Sequence, residues 1–238
     1  MSEHERLLQA VILAGGLGTR LGKLTQKVPK PMLQVNGKPF LEYEITLLRD
    51  SGISDFVLCV GYLGEVIENY FKDGTRFGIN IRYSHDGQRL MGPAGALKCA
   101  EPLLDELFFV TYGDAYLRAD YHRVMKTLLD SRRLGVMVVY ENHDLYGKSD
   151  IAVKDGYVTG YDKVGRSEGM FWVNFGVTAL RKRALSFIPP TKEIGEEEFY
   201  HELIMRKELL AFQVSDRFYE IGSPQSLKEF EQFISRRS

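Results

Sequence analysis

The chain has 238 residues, with 31 Lys and Arg against 32 Asp and Glu, a formal net charge of -1 and 44% hydrophobic residues. Near-zero net charge argues against a protein that binds along nucleic acid. Apolar runs such as 136–140 are far shorter than the roughly 20 residues that span a bilayer, and the N-terminus does not have the pattern of a signal peptide. We expect a cytoplasmic chain without nucleic-acid or membrane partners, and the sequence leaves open whether it forms a homo-oligomer.

The two cysteines, Cys59 and Cys99, are too few for a disulfide framework or a zinc site. A chain of this length buries roughly 70 to 75% of the surface that its unfolded form exposes, so it can build a core without cross-links. We therefore expect both cysteines to be small buried apolar residues.

Short apolar segments alternate with helical periodicity through the first half of the chain. Leu41, Ile45 and Leu48 have the i, i+4, i+7 spacing of a helix between strands. This alternation predicts an α/β fold with a largely parallel sheet covered on both faces. Buried strands are predicted at 8–14, 55–60, 79–84, 107–112 and 136–140.

The pattern changes after Glu141. Asp155-Gly156 separates two β-like segments, 151–154 and 157–161, and predicts a tight hairpin. Ser223 is predicted to cap a final helix with Pro224 at its first position. Because no linker interrupts the chain, we predict a single domain over 1–238, with a change of role near residue 140. Further strands are predicted at 170–180 and 209–214, and a helix at 196–207.

A glycine-rich loop follows the first predicted strand. Gly15, Gly16 and Gly18 allow backbone N–H groups to approach a ligand closely, and polyphosphate is the usual ligand of such a loop. Arg20 adds a planar cation that suits phosphate oxygens. The Walker and dinucleotide patterns both fail, since Leu21 stands where each requires glycine. An ordinary strand-to-loop turn is the structural alternative.

Two prolines, Pro29 and Pro31, follow shortly and bias the chain toward extended backbone. We therefore expect a long irregular loop, rather than a crossover helix, over 15–38. Such a loop is unusual unless it is functional. It presents Lys30 on a stiff backbone as a second cation for a triphosphate, although a lone lysine is more often a solvated surface charge.

Leu-Ala-Gly-Gly-Leu-Gly-Thr-Arg-Leu at 13–21, followed by Pro-Lys-Pro-Met at 29–32, resembles the signature of the sugar-1-phosphate nucleotidyltransferases. The short chain resembles the heptose-, mannose- and N-acetylmuramate-1-phosphate enzymes of that family. The resemblance implies a Rossmann-like mixed, mainly parallel sheet with a small antiparallel excursion. It also implies a nucleotide-binding half over about 1–140 and a sugar-phosphate-binding half over about 141–238. The implied nucleotide-binding residues are Leu13, Ala14, Gly15, Gly16, Gly18, Thr19, Arg20, Lys30, Gln88, Gly92 and Asp114.

The resemblance implies a reaction in which the phosphate of a sugar 1-phosphate attacks the α-phosphorus of a nucleoside triphosphate. Pyrophosphate leaves, and the NDP-sugar supplies glycan synthesis. We expect Arg20, Lys30 and Asp114 to be catalytic, with the cations offsetting repulsion between two anionic reactants. No general base is needed, because a phosphate monoester has a second pKa of ~6.

Asp114 follows the strand at 107–112, where open α/β sheets bind ligands, and the family's matching Gly-Asp holds Mg²⁺. Glu220 stands where the family usually has Asp, so it is the second implied metal ligand. Mg²⁺ suits the task because it prefers carboxylate and phosphate oxygens. The structural alternatives are a turn at Asp114 and a strand-terminal acid at Glu220.

The sugar-phosphate residues implied by the resemblance are Gly147, Asp162, Lys163 and Asn174, with Tyr146 beside them. Lys163 would neutralise the acceptor phosphate, whereas Asp162 and Asn174 would bind sugar hydroxyls. An exposed charge pair is the alternative for 162–163. Gln88 lies in the segment expected to select the base. Its amide suits uracil, cytosine or guanine, so GTP and UTP are favoured and CTP stays open.

Three alternatives remain at this point. Departures at Pro93, Asp162 and Glu220 would suit a non-catalytic, ligand-sensing relative of the same fold. Nucleotidyl transfer to a phosphate that carries no sugar is the second alternative. An oxidoreductase on a Rossmann sheet is the third, and the absence of its last glycine disfavours it.

Overall fold

The computed structural model describes residues 8–87, 91–163, 169–190 and 193–236. Its strands are β1 (Leu8–Leu13), β2 (Gln34–Val35), β3 (Lys38–Pro39), β4 (Ile53–Val60), β5 (Asn80–His85), β6 (Leu107–Tyr112), β7 (Ala115–Tyr116), β8 (Gly135–Glu141), β9 (Ile151–Lys154), β10 (Tyr157–Tyr161), β11 (Trp172–Arg181), β12 (Leu209–Val214) and β13 (Tyr219–Glu220). Its α-helices are α1 (Phe40–Asp50), α2 (Gly64–Phe71), α3 (Gly92–Ala100), α4 (Tyr121–Asp130), α5 (Glu196–Met205) and α6 (Pro224–Ser235). In the described part of the chain, no helix is long and apolar enough to cross a membrane.

The main sheet is mixed, with the strand order β5-β4-β1-β6-β11-β8-β12-β10-β9. Parallel pairing joins β5, β4, β1 and β6, and joins β12 to β8. The remaining pairings between described strands of this sheet are antiparallel. The mixed α/β fold is confirmed, and parallel pairing dominates only its first half.

The second half of the sheet closes on itself. Ile151 of β9 pairs with Trp172 of β11, so β11, β8, β12, β10 and β9 form a ring. The predicted antiparallel hairpin is present, but the antiparallel part is larger than the small excursion expected and forms a closed ring, so the sheet is not mainly parallel in this half. The physical reason lies in the connections, because a two-residue turn such as that between β9 and β10 can join only antiparallel strands.

Helices pack on both faces of the sheet, as predicted. Ala10 and Ile12 of β1 pack in one core with α1, α2 and α4, whereas Val11 packs in a second core with α3 and α5. Successive side chains of a strand point to opposite faces, so β1 is buried on both sides. A third cluster holds α6 against the start of α1 through Phe230 and Phe40.

Several local predictions can be compared with the structure. Asp155 and Gly156 have φ values of 52° and 77°, as a tight hairpin turn requires. The Ser223 hydroxyl caps α6, and Pro224 is its first residue. The segment 15–38 contains short 3₁₀ turns instead of a crossover helix. Cys59 is buried, but the expectation for Cys99 is wrong: it is exposed, because its position on α3 faces away from the core.

Candidate active site

A cavity of about 420 Å³ lies at the carboxyl ends of β1 and β6. These parallel neighbours end at Leu13 and Tyr112, so the glycine loop and Gly113-Asp114 leave the sheet at the same edge. Gln88 lies outside the described residues. Every other residue predicted on the nucleotide side lines this one cavity: Leu13, Ala14, Gly15, Gly16, Gly18, Thr19, Arg20, Lys30, Gly92 and Asp114.

Close backbone contacts shape the glycine loop. A Cβ atom on Gly15 would lie 3.0 Å from the backbone nitrogen of Gly61. Gly18 has a φ of 62°, and a Cβ there would lie 3.2 Å from Cβ of Lys30. The Thr25 hydroxyl donates a hydrogen bond to the Gly18 carbonyl at 3.0 Å. The loop is thereby held beside the segment that carries Lys30.

Lys30 is only 8% exposed, and its ammonium donates to the Asp114 carboxylate. A 3₁₀ turn at Lys30–Met32 fixes its backbone, with the Met32 amide donating to the Pro29 carbonyl at 2.8 Å. A Cβ on Gly113 would lie 3.1 Å from the Pro31 ring. The two prolines and this glycine therefore bring a buried cation against a carboxylate at the cavity wall.

Of the two predicted metal ligands, Glu220 lies on β13, and Asp114 immediately precedes β7, the strand that pairs with β13. Glu220 of β13 is in register with Ala115 of β7, and the Ile221 amide donates to the Asp114 carbonyl at 3.2 Å. The Glu220 carboxylate accepts from the Gly222 amide. Glu220 lines a neighbouring cavity of about 390 Å³, whereas Gly222 lines the first. The Glu220–Gly222 segment therefore lies between the two cavities.

A hard divalent cation requires oxygen ligands, and few of the described side chains at this edge of the sheet can supply them. Within the described ranges, no group of three or more His, Cys, Asp or Glu side chains is placed to hold a metal ion. Mg²⁺ is commonly bound by one or two carboxylates with substrate phosphates. Asp114 and Glu220 therefore fit an ion that takes its other ligands from the substrate and from water.

On the acceptor side, Lys163 contacts a carboxylate that the sequence motifs did not indicate. Its ammonium pairs with Glu196, a buried residue in the first turn of α5. The Tyr161 hydroxyl donates to Oε1 of Glu196 at 3.0 Å. Burial, together with neighbouring Glu197, raises the pKa of Glu196 to about 8. Lys163 thus lies against a desolvated acid.

Lys163 also interacts electrostatically with the nucleotide side. Burial lowers the pKa of its ammonium, and the carboxylates of Asp150 and Asp114 oppose that shift. Arg20 adds to the lowering of the Lys163 pKa. Because Arg20 and Asp114 line the first cavity, Lys163 lies near the same cavity.

Asp150 connects the other acceptor-side residues. Its carboxylate accepts from the Asn174 amide at 3.2 Å, and its carbonyl accepts from the Asp162 amide at 2.8 Å. The Asn174 side chain accepts from the Gly176 amide at 3.0 Å. Burial raises the pKa of Asp150 to about 6. The structure thus joins Asp162 and Asn174 through an acid that the sequence analysis missed.

None of the four predicted sugar-phosphate residues lines either of the two cavities, and Gly147 is the one whose turn leads to the second. Asn142 donates to its carbonyl at 2.7 Å, which fixes the turn that carries it. The adjacent Tyr146 lines the second cavity together with Glu220. This turn therefore lies next to the acceptor side, and Tyr146 is the part of it that faces a cavity.

Three acids of the site escaped the sequence analysis: Asp86, Asp150 and Glu196. Asp86 follows β5 directly and lines the first cavity, so the rule that places ligands at carboxyl ends of strands could have found it. Glu196 lies three and seven residues before Phe199 and Leu203, on the buried stripe of α5. Asp150 precedes a short strand, and neither a strand end nor a helical spacing marks it as a site residue.

A model of the nucleotidyl transferase family matches residues 9–155. The chain belongs to the nucleotidyl transferase family. This nucleotidyltransferase is 32% identical over 223 residues to a D-glycero-alpha-D-manno-heptose 1-phosphate guanylyltransferase of Campylobacter jejuni, an alignment that covers 94% of the chain and 98% of that relative. It is 30% identical over 202 residues to a UTP–glucose-1-phosphate uridylyltransferase of Synechocystis, covering 78% of the chain and 52% of that relative.

A solved structure agrees with these relatives. HddC from Yersinia pseudotuberculosis, complexed with GMP-PN, has a TM-score of 0.79 and 27% identity, covering 96% of the nucleotidyltransferase and 100% of HddC. The protein is a sugar-1-phosphate nucleotidyltransferase of EC class 2.7.7. Its substrates are a nucleoside triphosphate and a sugar 1-phosphate, and its family implies a divalent metal. The interpretations as a non-catalytic sensor and as an oxidoreductase are therefore wrong.

Proposed function

We propose that this nucleotidyltransferase joins GTP and a heptose or mannose 1-phosphate to give a GDP-sugar and pyrophosphate, with Mg²⁺ as the metal. The product would be an activated sugar for glycan synthesis. One observation carries the proposal: the glycine loop, Lys30 and Asp114 line a single cavity, and Lys163 interacts electrostatically with residues of that cavity. The relative from Campylobacter jejuni favours guanylyl transfer to a heptose 1-phosphate.

The reaction requires two anions to approach each other, so cations must offset their repulsion. Arg20, which is exposed at the cavity, is assigned to the leaving pyrophosphate. Lys30 is assigned to the charge that develops at the α-phosphate, and Lys163 to the acceptor phosphate. The nucleophilic oxygen is already ionised near neutral pH, since the second pKa of a phosphate monoester is ~6.

Asp114 and Glu220 are the residues that would hold the metal. When bound, Mg²⁺ neutralises and orients the triphosphate. Lys30 pairs with Asp114, and the backbone amide of Gly222 pairs with Glu220. Both carboxylates therefore have protein partners that offset their charge.

Asp86 supports guanine as the base. Its carboxylate lines the cavity near Gly15, and an acid can accept hydrogen bonds from the N1–H and N2–H groups of guanine. Uracil presents one such N–H group between two carbonyls, which a carboxylate repels. Burial raises the pKa of Asp86, and the Met91 amide opposes that shift. Gln88 stays a candidate for the same role from the sequence alone.

On the acceptor side, Asn174 and Asp162 are assigned to sugar hydroxyls, with Asp150 holding both backbones in place. Tyr146 and the turn at Gly147 are assigned to the outer wall of the acceptor site. Tyr146 is 42% exposed, so its ring is available to pack against a sugar.

Pyrophosphate release from a panel of four nucleoside triphosphates and several sugar 1-phosphates, with Mg²⁺, tests the proposal. We expect the highest kcat/KM with GTP and a heptose or mannose 1-phosphate. We expect Asp86→Asn to reduce the preference for GTP over UTP about tenfold, because the base loses one charged hydrogen-bonding partner. Release with another pair at higher kcat/KM would overturn the substrate assignment, and an unchanged base preference in Asp86→Asn would overturn the role of Asp86.

A further inference from the structure

The Glu196 carboxylate lies beside the acceptor lysine in a role that the chemistry above leaves unexplained. Its side chain is 7% exposed, and Oε1 receives both the Tyr161 hydroxyl and the Lys163 ammonium. Its Oε2 is buried and has no hydrogen-bond partner in the part of the chain that the structure describes. Burying a carboxylate is unfavourable unless it is paired. Lys163 is the cation that offsets this cost.

The surroundings of the pair are rigid. Tyr161 is 2% exposed, and its ring lies 5.8 Å from that of Tyr200. The Tyr200 hydroxyl in turn donates to Thr178 at 3.0 Å. The Lys163 ammonium lies 5.9 Å from the centre of the Tyr161 ring. Glu196 and Tyr161 therefore present fixed partners on two sides of an otherwise flexible lysine.

The pair also affects the charge of the lysine. Burial lowers the pKa of the Lys163 ammonium and raises that of the Glu196 carboxyl, whereas direct contact between the two favours the charged form of each. Glu196 makes the direct contact, whereas Asp150 and Glu197 act from further away. Replacing the Glu196 carboxyl should therefore remove the contact that fixes the lysine.

We propose that Glu196 is a positioning residue for the acceptor: together with Tyr161 it fixes Lys163, so that the ammonium meets the phosphate of the incoming sugar 1-phosphate. The inference rests on the proposed acceptor role of Lys163. Glu196 itself touches no substrate atom, and it acts on acceptor binding rather than on the nucleotide.

Glu196→Gln keeps the size of the side chain and an oxygen for Tyr161, but removes the charge. We expect its KM for mannose 1-phosphate or heptose 1-phosphate to rise about tenfold or more, since small misplacements of a binding group are costly. The KM for GTP should stay within about twofold. Glu198→Gln is the matched control, because Glu198 lies in the same turn of α5 and is exposed. Its kinetic constants should match those of the wild type.

A double-mutant cycle tests whether Glu196 acts through Lys163. In a Lys163→Met background, Glu196→Gln should raise the acceptor KM no further, and thermal unfolding should confirm that each variant is folded. An equal rise in both backgrounds, or an equal rise in both substrate KM values, would show a merely structural role and overturn the proposal. An unchanged acceptor KM in Glu196→Gln would also overturn it.

The same comparison can be made without turnover. Calorimetric titration of mannose 1-phosphate should show weaker binding to Glu196→Gln than to Glu198→Gln, and equal binding would contradict the inference. A wild-type protein that binds the sugar phosphate but releases no pyrophosphate with any triphosphate would overturn the proposed function alone. The two proposals can thus fail separately.

Discussion

The ion pair between Lys30 and Asp114 places opposite charges at the wall of the cavity in which we propose that the two phosphate-bearing substrates meet. Asp114→Asn should lower kcat for pyrophosphate release about a hundredfold or more, because a preorganised charge in a partly buried site is a large catalytic contribution. Lys30→Met should have an effect of similar size. Lys38→Met is the control, since Lys38 is exposed and pairs with Glu42. Undiminished release by Asp114→Asn would contradict the metal assignment.

Glu44 is a second buried acid near this site. It is 2% exposed, it accepts from the Thr111 hydroxyl at 2.9 Å, and burial raises its pKa well above the usual value of 4.5. The folded chain therefore binds this proton more tightly than the unfolded chain. The stabilisation is fully present below about pH 4.5 and is lost as pH rises through the folded-state pKa.

Glu44→Gln should remove that pH dependence, because an amide does not titrate. Urea unfolding at pH 5, 7 and 9 measures the effect: the free energy of unfolding should fall less steeply with pH in Glu44→Gln than in the wild type. Catalysis should be little changed, because Glu44 lines neither of the two cavities. Parallel slopes for the two proteins would show that Glu44 does not titrate in this way.

Among the elements, α3 depends on a close contact at its first residue. Gly92 has a φ of 72°, and a Cβ there would lie 2.6 Å from the Ile194 carbonyl oxygen. Gly92→Ala should therefore destabilise the fold by several kcal/mol, whereas Gly78→Ala, with a φ of 70° and no neighbour within 4 Å, should lose only about 1 kcal/mol for the left-handed backbone. Chemical denaturation measures the loss in free energy of unfolding for each variant. Equal losses would show that the Ile194 carbonyl does not restrict position 92.

The elements also show what the sequence could and could not predict. The hairpin at Asp155-Gly156 and the cap at Ser223 depend only on residues close in sequence, so the local sequence was sufficient to predict both. The ring closure depends on pairing between Ile151 and Trp172, which no local pattern specifies. Most of the predicted nucleotide-side residues lie in the motif at 13–32. Glu196, in contrast, contacts Lys163 only through the packing of α5 on β10.

For the whole molecule, net charge gave little information about the ligand. The formal charge is -1, yet Arg20 and Lys30 line one cavity and Lys163 interacts with its residues. Local potential within a cleft, rather than total charge, determines whether polyphosphate binds. The net charge of this chain therefore says little about which small anions bind in the cavity.

Nucleotide binding should stabilise the entire fold, because a ligand that binds only the native state shifts the unfolding equilibrium. At a concentration 100 times its Kd, GTP with Mg²⁺ should add about 2.7 kcal/mol. For a chain of 238 residues this corresponds to a Tm increase of about 5–10 °C, since each kcal/mol shifts Tm by about 2–4 °C at this size. Thermal unfolding with each triphosphate measures it.

The size of the Tm shift should depend on the base and on Lys30. GTP should shift Tm more than UTP at equal concentration, because a carboxylate placed as Asp86 is can accept from guanine and would repel the uracil carbonyls. Lys30→Met should show a smaller shift with every triphosphate, since Lys30 is assigned to phosphate and not to the base. Equal shifts for GTP and UTP would contradict the base assignment, and a Lys30→Met shift as large as that of the wild type would place the triphosphate outside this cavity.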